Sequence, residues 1–133
     1  SFNKSLDVKN FDVSFARGLS LEDGCATITN FTAYLIAKGI EYANGNNKKP
    51  IKYLLCGGGR KNSFLIQSIR DYLSNKKNIS LNFIDDYNLN GDYIESQAFA
   101  YLAIRSFLNL PISFPKTTGC STPTIGGKVI KNF

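Results

Sequence analysis

Histidine, methionine and tryptophan are absent from the 133 residues, and cysteine and proline are scarce, at three and four. Each gap closes off a chemistry. Without histidine the commonest general base is missing, and without a C-x-x-C spacing the usual zinc sites cannot be built. Cys25, Cys56 and Cys120 are an odd number lying far apart, which argues for a reducing cytoplasm rather than a disulfide framework. No apolar run nears the roughly 18 residues that a membrane span requires, and Ser1-Phe2-Asn3-Lys4-Ser5 lacks the apolar centre of a signal peptide. The expectation is a cytoplasmic chain that does not enter a membrane. With no methionine even at position 1, the first residues read like the middle of a longer protein, an excised domain or processed fragment.

What is present is the composition of a globular protein. A chain of this size buries roughly 68% of its unfolded surface, so one domain over residues 1–133 is expected. The net charge of +6 is spread over small groups: Lys48-Lys49, Arg60-Lys61, Lys76-Lys77, and Lys128 with Lys131. A nucleic-acid reader shows a dense basic run or interleaved aromatics, and neither occurs, so RNA binding ranks below nucleotide binding. The charge itself would favour any polyphosphate.

Periodicity divides the chain. Ile28, Phe31, Leu35 and Ile36, with alanines at 26, 33, 37 and 43, follow a helical repeat that starts near Ser20 and ends at Asn44-Gly45. Ser20 with Asp23 forms a capping-box pattern. Ile51 to Cys56 reads as a buried strand. Leu65, Ile69, Tyr72 and Leu73 give one face of a second helix, Ser80 to Ile84 a second strand, and Asp92 to about Leu108 a third helix, closed by Pro111 and Pro115. A hairpin or edge strand is expected around Ile125 and Val129-Ile130. The result is an α/β layer with Gly57-Gly58-Gly59 at the carboxyl end of its first strand, where open α/β sheets place ligands.

Three glycines let a backbone turn through φ > 0 and let a ring or phosphate approach the main chain. They fit neither G-x-G-x-x-G, since Asn62 takes the sixth place, nor the P-loop, since no Gly-Lys-Ser/Thr follows. Nucleotide binding competes with a bare tight turn, which seldom needs three glycines. Asn62 or Ser63 suits the cap of the second helix, a role compatible with ligand contact. Arg60 and Lys61 face either phosphate or solvent. Asp92-x-x-Glu95 is a capping-box variant, and spacing alone favours that role for Glu95 over a carboxylate contacting a sugar. Asp85 and Asp86, adjacent at the end of a strand, point apart and read as loop residues. Cys56 reads as a small buried hydrophobe, and no histidine exists to activate it as a nucleophile.

Three segments in this order carry a resemblance: Leu54-Leu55-Cys56-Gly57-Gly58-Gly59-x-x-Asn62, Tyr93-Ile94-Glu95-Ser96-Gln97-Ala98-Phe99-Ala100-Tyr101-Leu102-Ala103, and Thr118-Gly119-Cys120. Lys4-Ser5-Leu6-Asp7 with Phe11-Asp12 adds a fourth. Together they resemble the anhydro-N-acetylmuramic acid kinases of the actin-like sugar kinase superfamily. The resemblance implies a ribonuclease H-like (actin-like ATPase) C-terminal lobe, its sheet flanked by helices. It implies ATP-dependent cleavage of the 1,6-anhydro bond with water and phosphorylation of the freed 6-hydroxyl, in peptidoglycan recycling. Gly57, Gly58 and Gly59 would form the adenosine-side motif with Asn62 supporting it, while Glu95, Lys4 and Ser5 would border the sugar.

The family's phosphate loops and water-activating aspartate lie in an N-terminal half, so no catalytic residue is assigned to this chain, and Mg²⁺ would be held mainly by that other lobe. The implied partners are ATP, an anhydro amino sugar, an N-terminal kinase lobe where separately encoded, and a second copy in a homodimer. Two departures stand out: Arg60-Lys61 replaces the commoner Ala-His, and Gly126-Gly127-Lys128 replaces a more apolar segment. The alternative is a noncatalytic nucleotide-binding or interaction module left from a split or degenerate kinase.

Overall fold

A computed structural model describes residues 10–128 and residue 130. These fall into two compact units, Val13–Ile94 and a second comprising residues 10–12 with those from Glu95 onward.

In the first unit, helix α1 spans Leu21–Asn44, and the Ser20 hydroxyl accepts a hydrogen bond from the Asp23 amide at 3.0 Å, capping one of the free N–H groups at the helix start. The start and end agree with the sequence reading. Ala33, Ala37 and Ile40 are buried, whereas Ile28 and Ile36 stay largely exposed. Alanine has no side chain beyond Cβ, so this stripe lets helix α2 (Ser63–Tyr72) pack closely against α1 through Ile66, Ile69 and Leu73. Tyr72 sits at the edge of the contact, its hydroxyl donating to Asn30 Oδ1 at 2.7 Å and its ring meeting Tyr34 edge-on.

Strands β1 (Ile51–Leu55) and β2 (Ile79–Phe83) pair in parallel, with register from Ile51↔Ile79 to Leu55↔Phe83. Parallel strands need a crossover, and α2 provides it. Side chains alternate across the sheet. Tyr53 and Leu55 of β1, with Ile79, Leu81 and Phe83 of β2, pack on the α1–α2 core. Lys52, Leu54 and Cys56 occupy the other face, where Leu54 is 44% exposed. Cys56 is therefore exposed, not the buried hydrophobe that its apolar run predicted, because its strand is covered on one face only. On this same face the Asn82 Oδ1 is withdrawn from solvent yet finds no donor among the described residues.

Both strands end on the same side, so the glycines after β1 and the segment after β2 emerge next to each other.

In the second unit, α3 runs Ile94–Phe107 and a single turn, α4, spans Pro115–Thr118. The Arg105 Nε donates to the Pro111 carbonyl at 2.7 Å, tying the end of α3 to the tail. The expected hairpin is reduced to one antiparallel bridge, Ser113↔Thr124, rather than a strand at Ile125; Val129 lies outside the described residues. Among the described residues no helix is long and apolar enough to cross a membrane. The chain is thus α/β, with a small parallel two-stranded sheet and helices.

Candidate functional site

The chain leaves β1 through Gly57, whose φ of 77° lies in the left-handed region that glycine enters without strain. A 3-10 turn over Gly58–Lys61 follows, then Asn62, whose Oδ1 accepts from the Leu65 amide at 3.0 Å and caps α2. A Cβ placed on Gly57 or Gly58 would meet nothing within 4 Å, and one on Gly59 would touch only the Leu65 side chain at 3.6 Å. The corner is open, with Gly58 and Gly59 exposed. As the first residues of the turn, these two have no acceptor within it for their N–H groups. Bare main chain with outward donors can accommodate a flat ring or hydrogen-bond a ligand oxygen.

Behind this open edge lies a closed network that the sequence did not announce. Arg60 is folded inward, its side chain 8% exposed. Its Nε and one terminal nitrogen donate to the two Asp85 oxygens at 2.8 and 3.0 Å, a bidentate fork. The other terminal nitrogen donates to Asp92 Oδ1 at 2.6 Å and to the Gly57 carbonyl at 2.9 Å. Lys61 reaches the second Asp92 oxygen at 2.7 Å. Asp85 Oδ1 also accepts from the Gly91 amide at 3.2 Å, and the Gly91 carbonyl accepts from the Gly57 amide at 2.9 Å. The ring Gly57–Arg60–Asp85–Gly91 is thereby closed.

Gly91 must be glycine for this to happen, since a Cβ there would lie 2.5 Å from the Arg60 Nε. Electrostatics follow from the pairing. Arg60, then the Gly91 amide, holds the Asp85 carboxyl down from 3.8 to about 2, while Arg60 and Lys61 lower Asp92. The two aspartates in turn raise the Arg60 guanidinium further above its usual range.

The structure thus gathers Gly57, Gly58, Gly59 and Asn62 into one corner. Asp85 is no idle loop residue; Arg60 is turned inward onto the two aspartates, while Lys61 pairs with Asp92 and stays exposed to solvent. Asp92 is not the cap of a box with Glu95, because its carboxylate is held by Arg60 and Lys61 and α3 begins two residues later. Glu95 is exposed in the first turn of α3, in the second unit. Lys4 and Ser5 lie outside the described residues. Arg60 and its partners are 25 to 32 residues apart in sequence, and the signal that would have found them is opposite charge just past two strands that run parallel.

At the opposite end of the sheet a cavity of about 250 Å³ is lined by Leu73, Ile79, Leu81, Arg70, Lys76 and Lys77. Its basic groups already have partners in part: Lys76 pairs with Glu41 at 3.5 Å and the Arg70 guanidinium lies over the Phe83 ring.

A parallel β–α–β unit with exposed glycine main chain at the first strand's carboxyl end is an α/β scaffold. The likeness to known proteins is narrower. The family described as anhydro-N-acetylmuramic acid kinase matches residues 2–132. Three relatives carry that name: one from Pelagibacter ubique is 52% identical over 97% of this chain and 34% of its own length, one from Zymomonas mobilis subsp. mobilis 41% over 95% and 33%, and one from Caulobacter vibrioides 38% over 96% and 32%. The chain belongs to the anhydro-N-acetylmuramic acid kinase family and spans about a third of the length of these relatives.

Proposed function

We propose that this chain is the C-terminal, nucleotide-side lobe of an actin-like sugar kinase, in which Gly57, Gly58 and Gly59 receive the adenosine end of ATP and Asn62 holds the corner to α2. The observation that carries this reading is the exposed main chain of Gly58 and Gly59 at the carboxyl edge of a parallel sheet. Family membership supplies the chemistry. The complete protein would cleave the internal 1,6-anhydro bond of anhydro-N-acetylmuramic acid with water and transfer the γ-phosphoryl group of ATP to the freed 6-hydroxyl in peptidoglycan recycling. Glu95, with Lys4 and Ser5, would face the sugar.

Phosphoryl transfer depends on positioning and on charge stabilisation at the phosphates. The described residues offer little for that. Asp85 and Asp92 are both engaged by Arg60, and among the described residues no group of three or more metal-ligating side chains converges, so they do not fit Mg²⁺. Mg²⁺, the phosphate loops and the aspartate that activates water are assigned to the N-terminal lobe, with a homodimer of the complete, cytoplasmic protein. Asn82 Oδ1 and the exposed Leu54 support a further covering segment, since parallel strands are ordinarily buried on both faces. On this reading the chain alone is inert as a kinase but binds nucleotide.

Isothermal titration with ADP tests it, using Gly58→Asp as the control. Gly58 has ordinary backbone angles and free space at its Cβ, so the variant folds while placing a carboxylate in the ligand's path. Heat of binding for the wild type and none for Gly58→Asp is the expected result. Equal heats for both would remove the corner as the site.

A further inference from the structure

We propose that Arg60 is the positioning residue of the glycine corner: it makes no ligand contact and acts by fixing the Gly57 main chain through Asp85 and Asp92. The proposal rests on the nucleotide reading of the corner and goes further, since an arginine beside three glycines would ordinarily be taken for a phosphate ligand. A guanidinium carries five N–H donors. Four hydrogen bonds already engage it, two to Asp85, one to Asp92 and one to the Gly57 carbonyl. Its side chain is 8% exposed, leaving almost no surface for a phosphate.

The consequence is a division within three adjacent glycines. Gly57 has both main-chain groups tied, its N–H to the Gly91 carbonyl and its C=O to Arg60. Gly58 and Gly59 remain exposed. A flexible tri-glycine would lose more conformational freedom on meeting a ligand than any other sequence of its length. Clamping Gly57 from behind reduces that cost in advance, which is how preorganisation raises affinity. The four side chains Arg60, Lys61, Asp85 and Asp92 carry two positive and two negative charges, so the cluster presents no net charge to a ligand. The corner therefore selects the uncharged nucleoside end and not the phosphates. Lysine cannot replace Arg60, because a point charge lacks the planar fork that holds Asp85 and Gly57 at once.

The experiment titrates ADP and adenosine into the 133-residue chain as wild type, Arg60→Met, Arg60→Lys and Asp85→Asn, and follows amide hydrogen exchange at Gly57 in each. A positioning role predicts that all three variants weaken ADP and adenosine by the same factor, on the order of tenfold or more. It also predicts faster exchange at Gly57 with α1 and α2 amides unchanged, which separates a loosened corner from a failed fold. Asp85→Asn decides the alternative by sign. If Arg60 were a phosphate ligand, freeing it from Asp85 would strengthen ADP binding, and Arg60→Met would weaken ADP while sparing adenosine; either result overturns the proposal. Should the wild type bind neither ligand, the nucleotide reading fails, and the exchange data still judge the clamp: unchanged Gly57 exchange in Arg60→Met overturns it.

Discussion

The two units of this chain differ in how far each satisfies itself. Val13–Ile94 buries six apolar side chains in one cluster, pairs its strands and closes a salt-bridged ring behind its glycines. From Glu95 onward the contrast is plain: α3 buries no residue, and Phe99, Tyr101, Ile104 and Phe107 are 58% to 66% exposed. Of these, Tyr101, Ile104 and Phe107 recur at helical spacing on one side of α3, and an exposed apolar stripe of that kind marks an interaction surface. The first unit carries its own core, while α3 of the second leaves its large apolar side chains exposed. That asymmetry suits a chain spanning a third of its relatives' length.

The largest effect should come from breaking the self-sufficient unit. Ile69 is 1% exposed at the centre of the α1–α2 contact. Ile69→Ala should lower unfolding free energy by about 2–5 kcal/mol through lost transfer energy and an unfilled cavity, measured by urea denaturation. A loss below about 1 kcal/mol would mean that this core is looser than its burial indicates.

A smaller, local effect tests the ring within that unit. Asp85 is depressed from 3.8 to about 2, so its contribution is complete above the higher value and is lost as pH falls toward the lower one. The Gly57 and Gly91 amide resonances should therefore shift together across that window, ahead of any change in α1. A shift centred at ordinary aspartate pH would show that Arg60 does not hold Asp85.

The smallest effect sharpens the comparison from the other side. Phe99→Ser with Ile104→Ser, both on the exposed α3 surface, should leave the melting transition of this chain within about 0.5 kcal/mol of wild type while raising solubility. A large destabilisation would mean that α3 is already packed.

Local chemistry was the most legible part of this sequence. Ser20 capped α1 and Asn62 capped α2 as their side chains demand, and β1 ended just before the glycines. Periodicity located α1 and included Ala33 and Ala37, which are buried, but could not rank them above Ile28 and Ile36, because an apolar count weights the larger residue while close helix contact favours the small one. Cys56 was misplaced because alternation assigns faces without saying which face is covered. Arg60, Asp85, Gly91 and Asp92 stayed hidden for a different reason: their association is created by the parallel register, which no local pattern encodes.

The claim on which the rest depends is that the corner after β1 receives the adenosine part of a nucleotide. Titrating ADP into the uniformly ¹⁵N-labelled chain and following every backbone amide tests it most directly. The account predicts that Gly58 and Gly59 shift most, with Gly119 and Gly126 unmoved. Perturbations confined to the Arg70–Lys77 cavity at the other end of the sheet, or none at all, would contradict it.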